Sequence, residues 1–429
     1  MNVGSSGVDD AADGIPQISF CSPQYNQTDT LGSIPDVVPN SWGRGGSRGW
    51  PGAPTWSSAL VVIPGVLQQY DADVALMKTF YGAVKAHVDF LARQTGYGHG
   101  TVAFGMLGDW CSVEPFCPGS SDGCLANPGW TSGDATSSYY FVVNLRTMVS
   151  VAKALNNTAD HAKYSAALAV AKAAYAKQYF NSSSNDFGES QTANALGLLA
   201  APTVAPGAVA RLVANIKGRG THVSTGGVGA RWILQALSAA KQTELALDLA
   251  TQVSGPSWFW FTNCSHCPGT LHENWPNSAV PSGTTSGSLN HIMFGGGIGA
   301  WLYHRVAGLR PSATTSGLVE FGVDAAVLRR VGAASARTML AGDHLVESSW
   351  SYNAATFELE QNVTVPLGFR GSLVLPRRKG VALSESGAAV EGAEGAEGVG
   401  AAVLVDGETV AFATLSGRYF FRAKYVEAL

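Results

Sequence analysis

Between residues 56 and 309 the apolar positions recur with a helical period; beyond residue 310 they alternate with polar ones. In DADVALMKTFYGAVKAHVDFLARQ (71–94), Leu76, Phe80, Val84, Val88 and Leu91 form one stripe, which predicts an amphipathic helix. A short break at Tyr70–Asp73 separates it from WSSALVVIPGVLQQ (56–69), so the two read as a helical hairpin. Next come YYFVVNLRTMVSVAKALN (139–156) and DHAKYSAALAVAKAAYAKQYF (160–180), the latter with Tyr164, Leu168, Tyr175 and Tyr179 on one face. Helical stretches continue at 189–200, 207–220, 228–241, 243–253 and 295–309, several ending near a glycine as helix C-caps do. These amount to an all-α domain of roughly ten helices, mostly paired.

The texture then changes. HLVESSWSYNAATFELEQNVTV (344–365) alternates with period two around an Asn-Ala-Ala turn, and GSLVLP and ETVAFATL follow it. The pattern predicts a mainly α protein: a helical domain over 56–309, then a small antiparallel β-sandwich over 310–429. Residues 1–55, rich in Gly, Ser, Pro and Asn, read as a loop-rich lead-in, and the low-complexity stretch 386–400 as a flexible loop within the sandwich.

A length of 429 residues agrees with two domains. Charged residues make up 14% against roughly 25% in average globular chains, while apolar residues reach 46%, which suits a large core under polar, uncharged loops. Net charge is −4 without a basic stripe, which argues against nucleic acid as a partner. The longest apolar runs stop well short of a membrane span. Asn26, Asn156, Asn181, Asn263 and Asn362 each head an N-x-Ser/Thr sequon, and six cysteines allow three disulfides, so an extracellular or secretory-pathway glycoprotein is expected. The N-terminus shows no signal peptide, which on this reading implies a processed or truncated start.

Three Gly-rich loops hold the chemistry-bearing residues: GMLGDWCSVEPFCPG (105–119), SWFWFTNCSHCPGTLHENWP (257–276) and SGSLNHIMFGGG (286–297). The first two set carboxylates beside tryptophans in weakly charged surroundings. Sugar chemistry asks for this: two facing carboxyls, aromatic walls for ring faces, and local apolarity to raise one acid's pKa. The bland alternatives are a helix cap for Asp109, solvated acids for Glu114 and Glu273, and a satisfied core histidine for His291.

The stretches IPDVVPNSWG, APTWSSALVVIP, GDWCSVEP, THVSTGGVGARWIL, PSWFWF, TLHENW and GSLNHIMFGGGIGAWLYHRVAGL resemble, in order, motifs of glycoside hydrolase family 78. That family comprises inverting α-L-rhamnosidases with an (α/α)6 barrel followed by a small β-sandwich, and the resemblance covers roughly residues 30–380. It implies Glu114 as general acid and Glu273, in Glu-x-Trp, as the general base that activates water. It also implies Asp109 holding sugar hydroxyls, His291 lining the same subsite, and Trp110, Trp258 and Trp275 in substrate binding. Asp122 and Asp134 both remain open as a further sugar-binding carboxylate. Members normally begin with β-domains and the barrel's opening helices, and this chain starts after them, so only part of the first helical pairs is expected.

Cys264 and Cys267, with two of Cys111, Cys117 and Cys124, could build a zinc site, but Cys111 and Cys117 stand six apart and the sequons favour an oxidising compartment, so disulfides take precedence. The expectation is a cofactor-free, metal-free glycosidase acting on a carbohydrate, with no nucleic acid or membrane partner and an oligomeric state left open. The alternatives are an (α/α)6 glycosidase of other sugar specificity and a catalytically silent carbohydrate-binding remnant.

Overall fold

The computed structural model describes residues 32–36, 52–71, 74–95, 100–102, 108–112, 131–204, 206–263, 271, 273, 275, 291–312, 317–340, 343–376, 382–386, 388–389, 399–404 and 409–426. Two compact units divide the chain. The first comprises Met1–Val66, Val74–Ala236 and Thr251–Phe294; the second comprises Leu67–Asp73, Leu237–Ala250 and Gly295–Leu429.

In chain order the helices are α1 (Pro54–Ser57), α2 (Ala59–Asp71), α3 (Val74–Arg93), α4 (Gly133–Ala154), α5 (Thr158–Tyr179), α6 (Gln191–Ala200), α7 (Pro206–Gly218) and α8 (Gly227–Ala239). They continue as α9 (Thr243–Ala250), α10 (Trp258–Asn263), α11 (Ile292–Trp301, running into a π-turn) and α12 (Ala325–Val331). The expected stripe on α3 is real: Val84, Val88 and Leu91 are buried, and Phe80 packs on the same cluster. That cluster joins them to Val61 of α2, Phe141, Val142, Leu145 and Met148 of α4, and Tyr164 and Ala171 of α5. Each buried Val, Leu, Phe or Met side chain among them contributes about 1.5–3 kcal/mol.

Helix pairs in the first unit divide into inner and outer members. α4 is buried on nearly every face, while its partner α5, equally long, buries only Tyr164, Ala171 and Tyr175. Likewise α6 buries all but Leu199, and α7 only Ala208, Leu212 and Ile216. A helix apolar all round belongs inside, and one with a narrow apolar stripe outside. Caps set the starts: Ser132 Oγ accepts from Ala135 N, Asn157 Oδ1 from Asp160 N, and Ser190 Oγ from Ala193 N.

The second unit carries two sheets. One has strand order β1-β2-β6-β10-β9, built from Leu309–Pro311, Leu318–Gly322, Arg370–Pro376, Thr409–Thr414 and Val399–Leu404. The other runs β3-β4-β5-β11-β7-β8, from Ala333–Leu340, His344–Asn353, Glu358–Val365, Gly417–Lys424, Ala382–Glu385 and Ala388–Ala389. Among the described strands pairing is antiparallel except β2 with β6. The expected hairpin is β4–β5, its turn held by Asn353 Oδ1, which accepts from Ala355 N and Thr356 N.

Three features depart from the sequence reading. α10 lacks the length to show a period, and α12 interrupts the β-region, capped by Asp324 over Ala326 N. The stretch 386–400 is not all loop: Ala388–Ala389 pairs with β7, and Val399–Gly400 opens β9, which pairs with β10. Backbone pairing needs no distinctive side chains, so Ala and Gly strands escape composition.

Candidate active site

The site is assembled on one short segment of the first unit, Ser224-Thr-Gly-Gly-Val-Gly229, which leads into α8. The Gly-Asp-Trp turn (108–112) lies directly against it. Gly227 N donates to Trp110 O at 2.7 Å, Ser112 Oγ donates to Ser224 O at 3.1 Å, and Ser112 N closes the turn on Asp109 O at 3.1 Å. Gly226 is obligatory here, because a Cβ would stand 2.1 Å from Trp110 O. The Glu-x-Trp segment is tied to the same place: Trp275 Nε1 donates to Thr225 O at 2.7 Å.

Asp109 is the keystone of this arrangement. It is 2% exposed, and its carboxylate accepts from Gly226 N (2.7 Å), Gly229 N (2.9 Å) and Thr192 Oγ1. The two backbone donors belong to the start of α8, whose first N–H groups lack intrahelical partners and whose dipole favours a negative charge. Burial pushes the carboxyl above the ordinary aspartate range, against the pull of Thr192 and the backbone donors. Where sugar hydroxyls were expected, the described donors on its oxygens come from the protein, and Asp109 locks the Gly-Asp-Trp turn to α6 and α8.

Trp110 and Glu273 do meet. Trp110 Nε1 donates to Glu273 Oε1 at 2.9 Å, joining positions 163 residues apart, and both side chains are half-buried. An indole N–H can only donate, so it fixes one carboxylate oxygen of Glu273 in place. His291, also half-buried, lies alongside: its backbone N–H donates to Leu271 O at 2.7 Å, two residues before Glu273.

Trp258 and Trp275 lie in the interior of the first unit. They are 3% and 6% exposed and meet edge to face at 5.3 Å, with Phe261 against Trp275 at 5.0 Å. They form the aromatic core under the Glu273 segment and anchor it. Of the two open carboxylates, Asp134 is exposed in the first turn of α4. Asp122, Glu114, Cys117, Cys124, Cys264, Cys267 and Asn26 lie outside the described residues; Cys111 is buried with φ 59°.

Two residues of this neighbourhood went unremarked in the sequence. Trp56 of α1 meets Trp110 edge to face, centroids 6.1 Å apart and planes at 84°. Asp36 accepts from Ala53 N just before α1, and burial pushes its carboxyl up to about 6. Pro54 at the start of α1 marks a helix opening, but nothing local pairs Trp56 with residue 110.

The sequence profile described as bacterial alpha-L-rhamnosidase 6 hairpin glycosidase domain matches residues 22–306. A relative from Alteromonas sp. (strain LOR), named alpha-L-rhamnosidase, is 24% identical over 330 residues, covering 75% of this chain and 34% of its own length. The structure of alpha-L-rhamnosidase from Dictyoglumus thermophilum superposes with a TM-score of 0.74 at 26% identity, over 92% of this chain and 42% of that one. Streptomyces avermitilis alpha-L-rhamnosidase, solved complexed with L-rhamnose, shares the fold with a TM-score of 0.70 at 22% identity, over 92% and 35% of the two chains. The chain thus spans about a third of the length of the curated relatives it matches.

Proposed function

Because the chain belongs to the bacterial α-L-rhamnosidase six-hairpin glycosidase family, we propose that it hydrolyses terminal α-L-rhamnosides with inversion of configuration. Glu273 is the general base: it deprotonates a water that attacks the anomeric carbon from the face opposite the leaving group. Glu114 is the general acid that protonates the departing oxygen, and the transition state carries oxocarbenium character. The observation that supports this reading most is the Trp110–Glu273 hydrogen bond, which brings the Gly-Asp-Trp and Glu-x-Trp motifs into one site. A base must hold its lone pair toward a water in a fixed direction, and a donor on the other oxygen provides that. Asp109 acts through the backbone, keeping Trp110 where it can reach Glu273.

The substrate is a carbohydrate, and among the described residues no helix is long and apolar enough to cross a membrane. We further propose a secreted, glycosylated protein; Asn156, Asn181, Asn263 and Asn362, the described sequon asparagines, are all exposed, as glycan acceptors must be.

Proton NMR of the sugar first released from 4-nitrophenyl α-L-rhamnoside tests the mechanism. Initial β-L-rhamnose is expected, with Glu273→Gln slower by roughly 10²–10⁴-fold. Initial α-L-rhamnose means retention and removes the base role from Glu273. The two carboxyls are expected about 6.5–9.5 Å apart, leaving room for the water.

A further inference from the structure

Among the described residues, four tryptophans connect to the Glu273 segment directly or through one another, and they divide into two kinds. Trp258 and Trp275 are buried in the aromatic core beneath it. Trp56 and Trp110 are half-buried, in contact with each other, their planes at 84°. Trp110 spends its N–H on Glu273. The indole N–H of Trp56 has no hydrogen-bond partner among the described residues.

Trp56 is also held firmly. α1 is only one turn long, but Asn144 of α4 donates to Ser58 Oγ at 2.8 Å immediately after it. On the other side Asp36 accepts from Ala53 N, and Gly52 N donates to Ile34 O at 2.8 Å. A large indole kept rigid and left partly uncovered, against the tryptophan that holds a carboxylate, is a surface prepared for an apolar ligand face.

We propose that Trp56 determines sugar specificity: with Trp110 it forms a right-angled aromatic corner beside Glu273 that receives the deoxygenated C5–C6 side of a 6-deoxyhexose. The inference rests on the rhamnosidase reading and names the group that sets its substrate class. L-rhamnose and L-mannose share ring configuration and differ at C6, a methyl against a hydroxymethyl group. A methyl fits between two indole surfaces. A hydroxyl placed there loses its water, and the two indole faces offer no acceptor in return. The Trp56 N–H lies in its own ring plane, so it serves a ring hydroxyl at the rim and leaves the corner apolar.

The test compares 4-nitrophenyl α-L-rhamnoside with 4-nitrophenyl α-L-mannoside on the full chain and on Trp56→Ala and Trp56→Phe. Wild type is expected to favour the rhamnoside. Trp56→Ala is expected to lose roughly ten- to a hundredfold in kcat/KM on the rhamnoside, mainly through KM, and far less on the mannoside. The preference then narrows by about the same factor, and Trp56→Phe recovers part of it. An equal loss on both sugars, or a loss in kcat alone, means that Trp56 only buttresses Trp110, and the proposal falls while the rhamnosidase reading stands. Wild type that cleaves neither sugar overturns the rhamnosidase reading and this inference with it.

Discussion

Replacing Asp109 separates two roles that predict opposite readouts. A sugar ligand lost to Asp109→Asn raises KM and leaves stability alone; a buried brace does the reverse. In the structure Oδ2 accepts from Gly226 N and Thr192 Oγ1, and Oδ1 from Gly229 N. An asparagine whose amide oxygen takes the Oδ2 place keeps two of these donors satisfied and turns an NH2 against the third. One stranded, buried N–H costs about 1–3 kcal/mol. With about 2 kcal/mol as the centre and a response of about 2–4 °C per kcal/mol, Asp109→Asn is expected to lower the apparent Tm by roughly 4–8 °C. Asp109→Ala strands all three donors and opens a small void, at about 5 kcal/mol and roughly 10–20 °C. Differential scanning calorimetry beside steady-state kinetics reads both quantities. A Tm for Asp109→Asn within about 2 °C of wild type, with KM raised severalfold, refutes the brace.

Trp110→Phe removes the donor to Glu273 and is expected to lower kcat by roughly ten- to a hundredfold with little change in KM; a KM effect alone would make Trp110 merely a wall of the subsite. The segment 32–36 carries a pH signature of two opposing parts. Burial raises Asp36 from 3.8 to about 6, so the folded chain keeps a proton that the unfolded chain releases, and that contribution is lost as pH rises through about 6. His87, whose Nδ1–H donates to Gly32 O at 2.9 Å, is lowered by burial from 6.5 to about 4, so its contribution is present above 6.5 and lost as pH falls toward 4. Asp36→Asn should therefore steepen the loss of Tm between pH 6 and 4, and His87→Gln should flatten it; curves parallel to wild type in both variants would contradict the assignment.

Much of the architecture was legible because helical and strand periods are properties of neighbouring residues. The stripe Phe80, Val84, Val88 and Leu91 faces the core as its spacing requires, and the alternation of 344–365 pairs as β4–β5. The motifs around Glu273 and Trp110 were likewise visible as strings. What the sequence could not supply was the partner of each residue, since burial and hydrogen bonding are settled across long separations. Asp109 and Gly226 are 117 positions apart, Trp110 and Glu273 163. A tryptophan beside an acid reads the same whether it walls a subsite or packs beneath it; only packing made Trp258 and Trp275 core and left Trp56 and Trp110 half-exposed. An aspartate in Gly-Asp-Trp likewise reads as a ligand for hydroxyls until the start of α8 arrives with two free N–H groups. In a low-dielectric interior those donors require an acceptor, and the tertiary structure gave them Asp109.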